Sequence, residues 1–172
     1  THRQLLTHGQ QLARLGGWEY DPATDRAWWT EEAYRVLGVP VHLDPGPRTL
    51  LPRIHPEDRE EVHRALAEAL GGDGPYEAEF RVRDEDGGER TVRSRAGVER
   101  GESGQVVRLV GVVQDVSELR AAEERAQRLA YYDDLTGLPN RQLFCERLDQ
   151  ALPHLGRHER AGAVVLLDLD RF

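Results

Sequence analysis

The 172-residue chain has no methionine, no lysine and a single cysteine, Cys145. One thiol cannot close a disulfide within the chain, and no Cys/His cluster has the spacing of a zinc site. A reducing compartment, the cytoplasm, is the expected setting. The missing methionine implies that the natural start of the gene product lies outside this sequence, so an export signal or membrane segment upstream stays open. No apolar run approaches the ~20 residues of a spanning helix, so no membrane segment is expected within the chain. Arginine supplies all 23 basic residues against 31 acidic ones, for a net charge of -8. Binding to a phosphate backbone requires clustered positive charge, so no nucleic-acid partner is expected. A hydrophobic fraction of 38% with 31% charged residues fits a globular chain long enough for one small domain and part of another.

The chain reads as four segments. Leu5, Leu12 and Leu15 recur at roughly helical spacing before Gly16-Gly17, which predicts a lead-in helix over residues 1–14. In WEYDPATDRAWW, the turn formers Asp21, Pro22 and Asp25 predict a hairpin. Thr30 is placed to cap a helix over Glu31 to Leu37 that ends at Gly38, and Pro56 suits the first turn of another ending at Gly71-Gly72. YEAEFRVRD alternates cleanly, with Tyr76, Ala78, Phe80 and Val82 on one face. ERTVRSRAGVE alternates again after Asp86-Gly87-Gly88, and QVVRLVGVVQDV follows a further turn at Gly101 to Gly104. Two strands, a block of helices and three antiparallel strands give an α+β fold, a five-stranded antiparallel sheet with helices on one face.

These stretches, with IHPEDREEVHRAL and LVGVVQDVSE, resemble the PAS fold over residues 15–116. Thr91-Val92 departs from the tryptophan-containing strand start of many relatives, which implies a different cavity floor. The resemblance implies a sensor with an internal cavity of unknown ligand. Trp18, Trp28 and Phe80 are the candidate pocket residues; Trp29 could line the pocket too, and at least two of the three tryptophans are expected to be core material. Haem and flavin are expected absent. Cys145 lies far outside the sensor segment, so it cannot serve as the thiol beside a flavin. His63 occupies the helix where some haem-binding relatives place their ligand, but its charged neighbours place it on a solvated face. His55 belongs to the turn before Pro56.

Ser117 is placed to cap a connecting helix over residues 117–132, whose Leu119, Ala122, Ala126 and Leu129 follow the spacing of a short coiled coil. A parallel homodimer is expected, with a single helix packed on its own sheet as the alternative. YYDDLTGLPNRQLFCERLDQAL then resembles the entry of a GGDEF domain, with Asp133, Leu135, Thr136, Gly137, Leu138, Pro139, Asn140 and Arg141 matching its D-x-L-T-G-L-P-N-R signature. Residues 133–172 are thus expected to be the helix-plus-strand start of an α/β GGDEF domain, with Leu143, Phe144, Leu148 and Leu152 as the apolar face of its helix. AVVLLDLDRF predicts a buried strand ending in carboxylates.

The family likeness implies Mg²⁺ (or Mn²⁺) held by Asp168 and the Leu169 backbone carbonyl, with Asp170 as a weaker candidate ligand and Arg171-Phe172 beside the triphosphate of GTP. It assigns Asp133, Leu135 and Thr136 to a signal-coupling motif. The reaction implied for the whole protein joins two GTP molecules into cyclic di-GMP. The GG[DE]EF turn itself is not in these 172 residues, so the chain alone is expected to be inactive. The alternative is a degenerate GGDEF domain regulating a downstream EAL cyclic di-GMP phosphodiesterase.

Overall fold

Alternating burial lays out the sheet seen in a computed structural model, which describes residues 15–72, 74–157 and 163–167. Strands β1 (Leu15–Asp21) and β2 (Arg26–Trp29) form the expected hairpin, followed by helices α1 (Glu31–Leu37) and α2 (Pro47–Leu50). Single 3-10 turns at Leu51–Arg53 and Pro56–Asp58 lead into α3 (Arg59–Gly71). Strands β3 (Tyr76–Arg83), β4 (Glu89–Arg100) and β5 (Val106–Asp115) complete an antiparallel sheet in the order β2-β1-β5-β4-β3. Helices α4 (Ser117–Tyr131) and α5 (Arg141–Arg157) follow. The chain divides into two compact units, Thr1–Arg120 and Ala121–Phe172.

In the first unit, Tyr76, Ala78, Phe80 and Val82 are buried on β3, while the outward Glu77 and Glu79 pair with Arg95 and Arg93 of β4. Thr30 caps α1 as expected: its hydroxyl accepts the Ala33 N–H at 3.1 Å and the Gly17 N–H at 2.9 Å. Gly38 ends the helix in the left-handed region at φ 65°. Leu15, Gly16 and Gly17 lie within β1. Gly16 faces α1 at close range, since a Cβ there would stand 2.3 Å from the Ala33 Cα. A helix laid this close on a strand requires a residue without a side chain. The lead-in helix expected over residues 1–14 lies outside the described residues.

Asp58 fixes the helical block to the sheet. One carboxylate oxygen accepts the Arg81 backbone N–H at 2.8 Å and Nε–H at 2.9 Å, and the other accepts Nη2–H at 2.7 Å. Such a two-pronged guanidinium pair is among the stronger polar contacts available. It holds the Asp58 carboxyl below the usual carboxylate range. His55 joins the same turn by accepting the Glu57 N–H at 3.4 Å, in line with its expected place before Pro56.

Of the predicted buried strand at the C-terminal end, only residues 163–167 are described. Residues 163–167 adopt no regular secondary structure, and Leu166 is 94% exposed. A parallel strand takes its hydrogen bonds and its cover from neighbouring strands and helices, and no described strand pairs with this segment.

Candidate functional site

One register row explains the cavity in the first unit. Reading across the sheet, Trp29, Trp18, Gly111, Ala96 and Tyr76 stand opposite one another. Large rings therefore flank a centre of glycine and alanine. A Cβ at Gly111 would lie 2.7 Å from the Ala96 Cβ and 2.8 Å from the Trp18 Cε2, so the indole lies directly over the glycine. Trp18 then meets Tyr76 edge to face, with ring centroids 5.6 Å apart, a favourable quadrupole arrangement.

Between this floor and the helices lies a cavity of about 240 Å³. Trp18, Trp29, Tyr76, Phe80, Ser94 and Val113 line it from the sheet, and Leu37, Leu50, Ile54, Val62 and Leu66 from the helical side. Of the expected pocket residues, Trp18 and Phe80 face the cavity. Trp28 does not: it is 56% exposed, because neighbouring strand residues point to opposite faces and Trp29 takes the inward position. His63 lies on the exposed side of α3 as expected, yet it also borders the cavity. Val92 is fully buried opposite Phe80 and does not reach the cavity, so the Thr91-Val92 departure leaves the floor to Trp18, Tyr76 and Ser94.

The polar groups of the cavity are few. Burial pushes the Tyr76 hydroxyl pKa up to about 12, against a smaller lowering from Ser94. Trp18 Nε1 is buried with no hydrogen-bond partner, alone in this among the described side chains. An unpaired buried donor costs about 1–3 kcal/mol.

The sheet also holds the start of α4. The Val116 N–H donates to the Thr91 carbonyl at 2.9 Å, and the Thr91 N–H donates to the Ser117 hydroxyl at 2.9 Å. The Ser117 hydroxyl is thus engaged by β4, while Asp115 accepts the Ser117 N–H at 2.9 Å. Glu79 of β3 receives both Arg93 of β4 and Arg120 of α4. This contact between the helix and the outer sheet face was not legible from spacing, because it joins residues 41 positions apart. No residue of α4 is buried, and Leu119 and Leu129 are 49% and 62% exposed.

In the second unit, the D-x-L-T-G-L-P-N-R segment forms a tight knot. Gly137, at φ 68°, donates its N–H to the Asp133 carbonyl at 2.9 Å, and the Asp133 N–H donates to the Leu138 carbonyl at 2.8 Å. Thr136 Oγ1 donates to the Asp133 carboxylate at 3.2 Å, so two of the three expected coupling residues touch, whereas Leu135 is 93% exposed. Asn140 serves both helices. Its Nδ2 donates to the Ala130 carbonyl near the end of α4 at 2.8 Å, and its Oδ1 accepts the Leu143 N–H in the first turn of α5 at 3.1 Å. Asparagine directly before a helix is a known capping signal. Leu143 and Leu148 are half-buried, and Phe144 and Leu152 are exposed.

Asp168, Leu169, Asp170, Arg171 and Phe172, the expected metal and phosphate positions, lie outside the described residues. Among the described residues no group of three His, Cys, Asp or Glu side chains converges to hold a metal, and no helix is long and apolar enough to cross a membrane.

Comparison with known proteins agrees with this architecture. Residues 26–113 match the PAS fold family, and residues 130–172 match the family described as diguanylate cyclase, GGDEF domain. A sensory box histidine kinase/response regulator from Burkholderia thailandensis is similar at 30% identity and a TM-score of 0.60, over 73% of this chain and 93% of that one. The N-terminal domain of a diguanylate cyclase with PAS/PAC sensor from Marinobacter aquaeolei is similar at 25% identity and a TM-score of 0.57, over 62% of this chain and 98% of that one. The probable diguanylate cyclase DgcE of Escherichia coli is 25% identical over 70% of this chain and 11% of its own length. The chain spans only 11 to 22% of the length of the first curated relatives it matches. The chain belongs to the PAS fold family and continues into the opening stretch of a GGDEF domain of the kind found in cyclic di-GMP signalling proteins.

Proposed function

We propose that this chain is the sensory input region of a diguanylate cyclase, in which the state of the cavity is passed through α4 to a GGDEF domain. The observation that carries the reading is the attachment of α4 at both ends. Its first turn is tied to the sheet through Ser117, Val116 and Arg120, and its last turn to the GGDEF entry through Asn140. The reading takes α4 as a continuous helix that carries a displacement from one end to the other. The exposed stripe of Leu119, Ala122, Ala126 and Leu129 supports a parallel homodimer through α4. Two GGDEF domains facing each other suit a reaction that joins two GTP molecules. Asp168, the Leu169 carbonyl and Asp170 are proposed to hold Mg²⁺ in the complete domain, where the metal supplies charge neutralisation at the phosphates. The 172-residue chain alone is proposed to be inactive.

The test is direct. The whole gene product, incubated with GTP and Mg²⁺, is expected to form cyclic di-GMP, measured by liquid chromatography with mass detection. Hydrolysis of cyclic di-GMP without synthesis would overturn the cyclase reading in favour of a phosphodiesterase.

A further inference from the structure

The contact between Glu79 and Arg120 lies directly behind the cavity wall. Side chains alternate along β3, so Phe80 lines the cavity while Glu79 emerges on the outer face of the sheet. The same holds on β4, where Ser94 lines the cavity and its neighbour Arg93 stands opposite Glu79. Each member of this outer pair is thus one peptide unit from a side chain that an occupant of the cavity would press on.

Glu79 does more than close a rung of the sheet. One carboxylate oxygen accepts Arg93 Nε–H at 3.1 Å and Nη2–H at 3.0 Å, and the other accepts the Nε–H of Arg120 in α4 at 2.5 Å. One negative charge therefore serves two guanidinium groups. Arg120 first, and Arg93 with it, hold the Glu79 carboxyl below the usual carboxylate range. The neighbouring rung is the natural comparison. Glu77 pairs with Arg95 of β4 at 2.7 Å, and both side chains are more than half exposed, whereas those of Glu79 and Arg93 are largely covered.

The start of α4 has two kinds of tie to the sheet. The bonds of Val116 and Ser117 to Thr91 fix the point at which the chain leaves β5. A single point leaves a helix free to pivot. Arg120 lies about one helical turn further on, so its bond to Glu79 fixes the direction in which α4 departs. We propose that Glu79 is the positioning residue through which the cavity wall sets the direction of α4: a shift of Phe80 or Ser94 moves Glu79 and Arg93, and Arg120 follows. This rests on the sensory reading above and names the place where the signal passes from sheet to helix.

The test compares variants of the 172-residue chain by amide exchange at Ala122 and Glu123, read by NMR spectroscopy. Glu79→Gln is expected to speed exchange there by about two- to fivefold, the weight of a partly exposed ion pair, and Arg120→Gln to do the same without touching the sheet. Glu77→Gln removes the same charge from the neighbouring rung and is expected to leave these amides unchanged. Exchanging the charges, with Glu79→Arg and Arg120→Glu together, keeps one carboxylate among two guanidiniums. It is expected to restore slow exchange, which a role of Glu79 confined to the sheet would not allow. Phe80→Leu, which alters the cavity wall, is expected to shift exchange at Ala122 in the otherwise native chain but not in Glu79→Gln. In the whole gene product, Glu79→Gln is expected to change kcat for cyclic di-GMP formation at least about twofold with KM for GTP unchanged, because the direction of α4 bears on how two GGDEF domains meet and not on how each holds GTP.

Equal exchange in Glu79→Gln and Glu77→Gln, no recovery in the exchanged pair, the same response to Phe80→Leu with and without Glu79, or an unaltered kcat would overturn the inference. Arg120→Gln carries the test even if Glu79→Gln does not fold. A whole gene product that makes no cyclic di-GMP would overturn the cyclase reading, and the exchange measurements would then still judge Glu79.

Discussion

Adding one methyl group at Gly16 measures how tightly α1 is laid against the sheet that floors the cavity. The new Cβ would sit 2.3 Å from the Ala33 Cα and 2.5 Å from its backbone nitrogen. Carbon atoms in ordinary contact lie about 3.5–4.0 Å apart, so the helix must retreat by about 1.2–1.7 Å. Ala33 is fully buried, and backbone cannot turn aside as a flexible side chain can. Retreat also strains Thr30, whose hydroxyl accepts N–H groups from both Gly17 and Ala33. Overpacking costs about 1–3 kcal/mol, and loss of the shared cap places Gly16→Ala near the upper end. For a unit of about 100 residues, each kcal/mol lowers Tm by about 4–8 °C, which gives a loss of about 10–20 °C. Gly97→Ala is the control, since no atom lies within 4 Å of a Cβ there. It is expected to leave Tm unchanged or raise it by a few degrees, because alanine restricts the unfolded chain. Thermal unfolding followed by tryptophan fluorescence reads both. If Gly16→Ala melts within about 2 °C of the wild type, or if Gly97→Ala falls as far, the packing argument is wrong.

Acid should loosen the sensor through Asp58. The Arg81 guanidinium lowers the Asp58 pKa in the folded state. Its stabilising contribution is therefore present above the unfolded carboxyl value near ~4 and is lost as pH falls through the depressed folded value. Tm is expected to stay level from pH 7 to about 5 and drop below about 4, with Asp58→Asn less stable at neutral pH but less sensitive to acid. An equal acid loss in that variant would refute the assignment. Asn140→Ala is expected to destabilise the start of α5 by about 1 kcal/mol, seen as faster amide exchange at Leu143. Asn140→Asp, which keeps the accepting oxygen but not the Nδ2 donor to Ala130, should protect Leu143 while freeing the end of α4. Replacing Leu119 and Leu129 together by arginine should turn a dimer into a monomer by light scattering, and an unchanged mass would remove α4 from the interface.

Much of the first unit was readable from local pattern. Period-two alternation in β3 and β4 placed Phe80 and Tyr76 on the inner face, and Thr30 and Gly38 bounded α1 because capping chemistry is local. The tryptophans were harder. Trp28 and Trp29 are adjacent on β2, and which one points inward depends on the register with β1, a property of pairing rather than of composition. Gly16 and Gly17 read as a helix stop, since glycine's breaking tendency is visible in a sequence while its close approach to Ala33 is not. The Glu79–Arg120 contact, the Trp18–Tyr76 contact and the double role of Asn140 join segments that only the fold brings together. The strand expected near Leu166 was read from an apolar run alone, and such a run becomes a strand only where neighbours supply its hydrogen bonds.

The coupling role of α4 is tested most directly by changing its phase in the whole gene product. Two residues inserted between Arg125 and Ala126 rotate the following turn by about 200°. Seven residues restore the original face to within about 20°. With cyclic di-GMP formation from GTP as the readout, the account predicts that the two-residue insertion abolishes or fixes the rate regardless of the cavity's occupant, while the seven-residue insertion keeps a rate that responds to it. Equal, ligand-responsive rates from both insertions would contradict transmission through this helix.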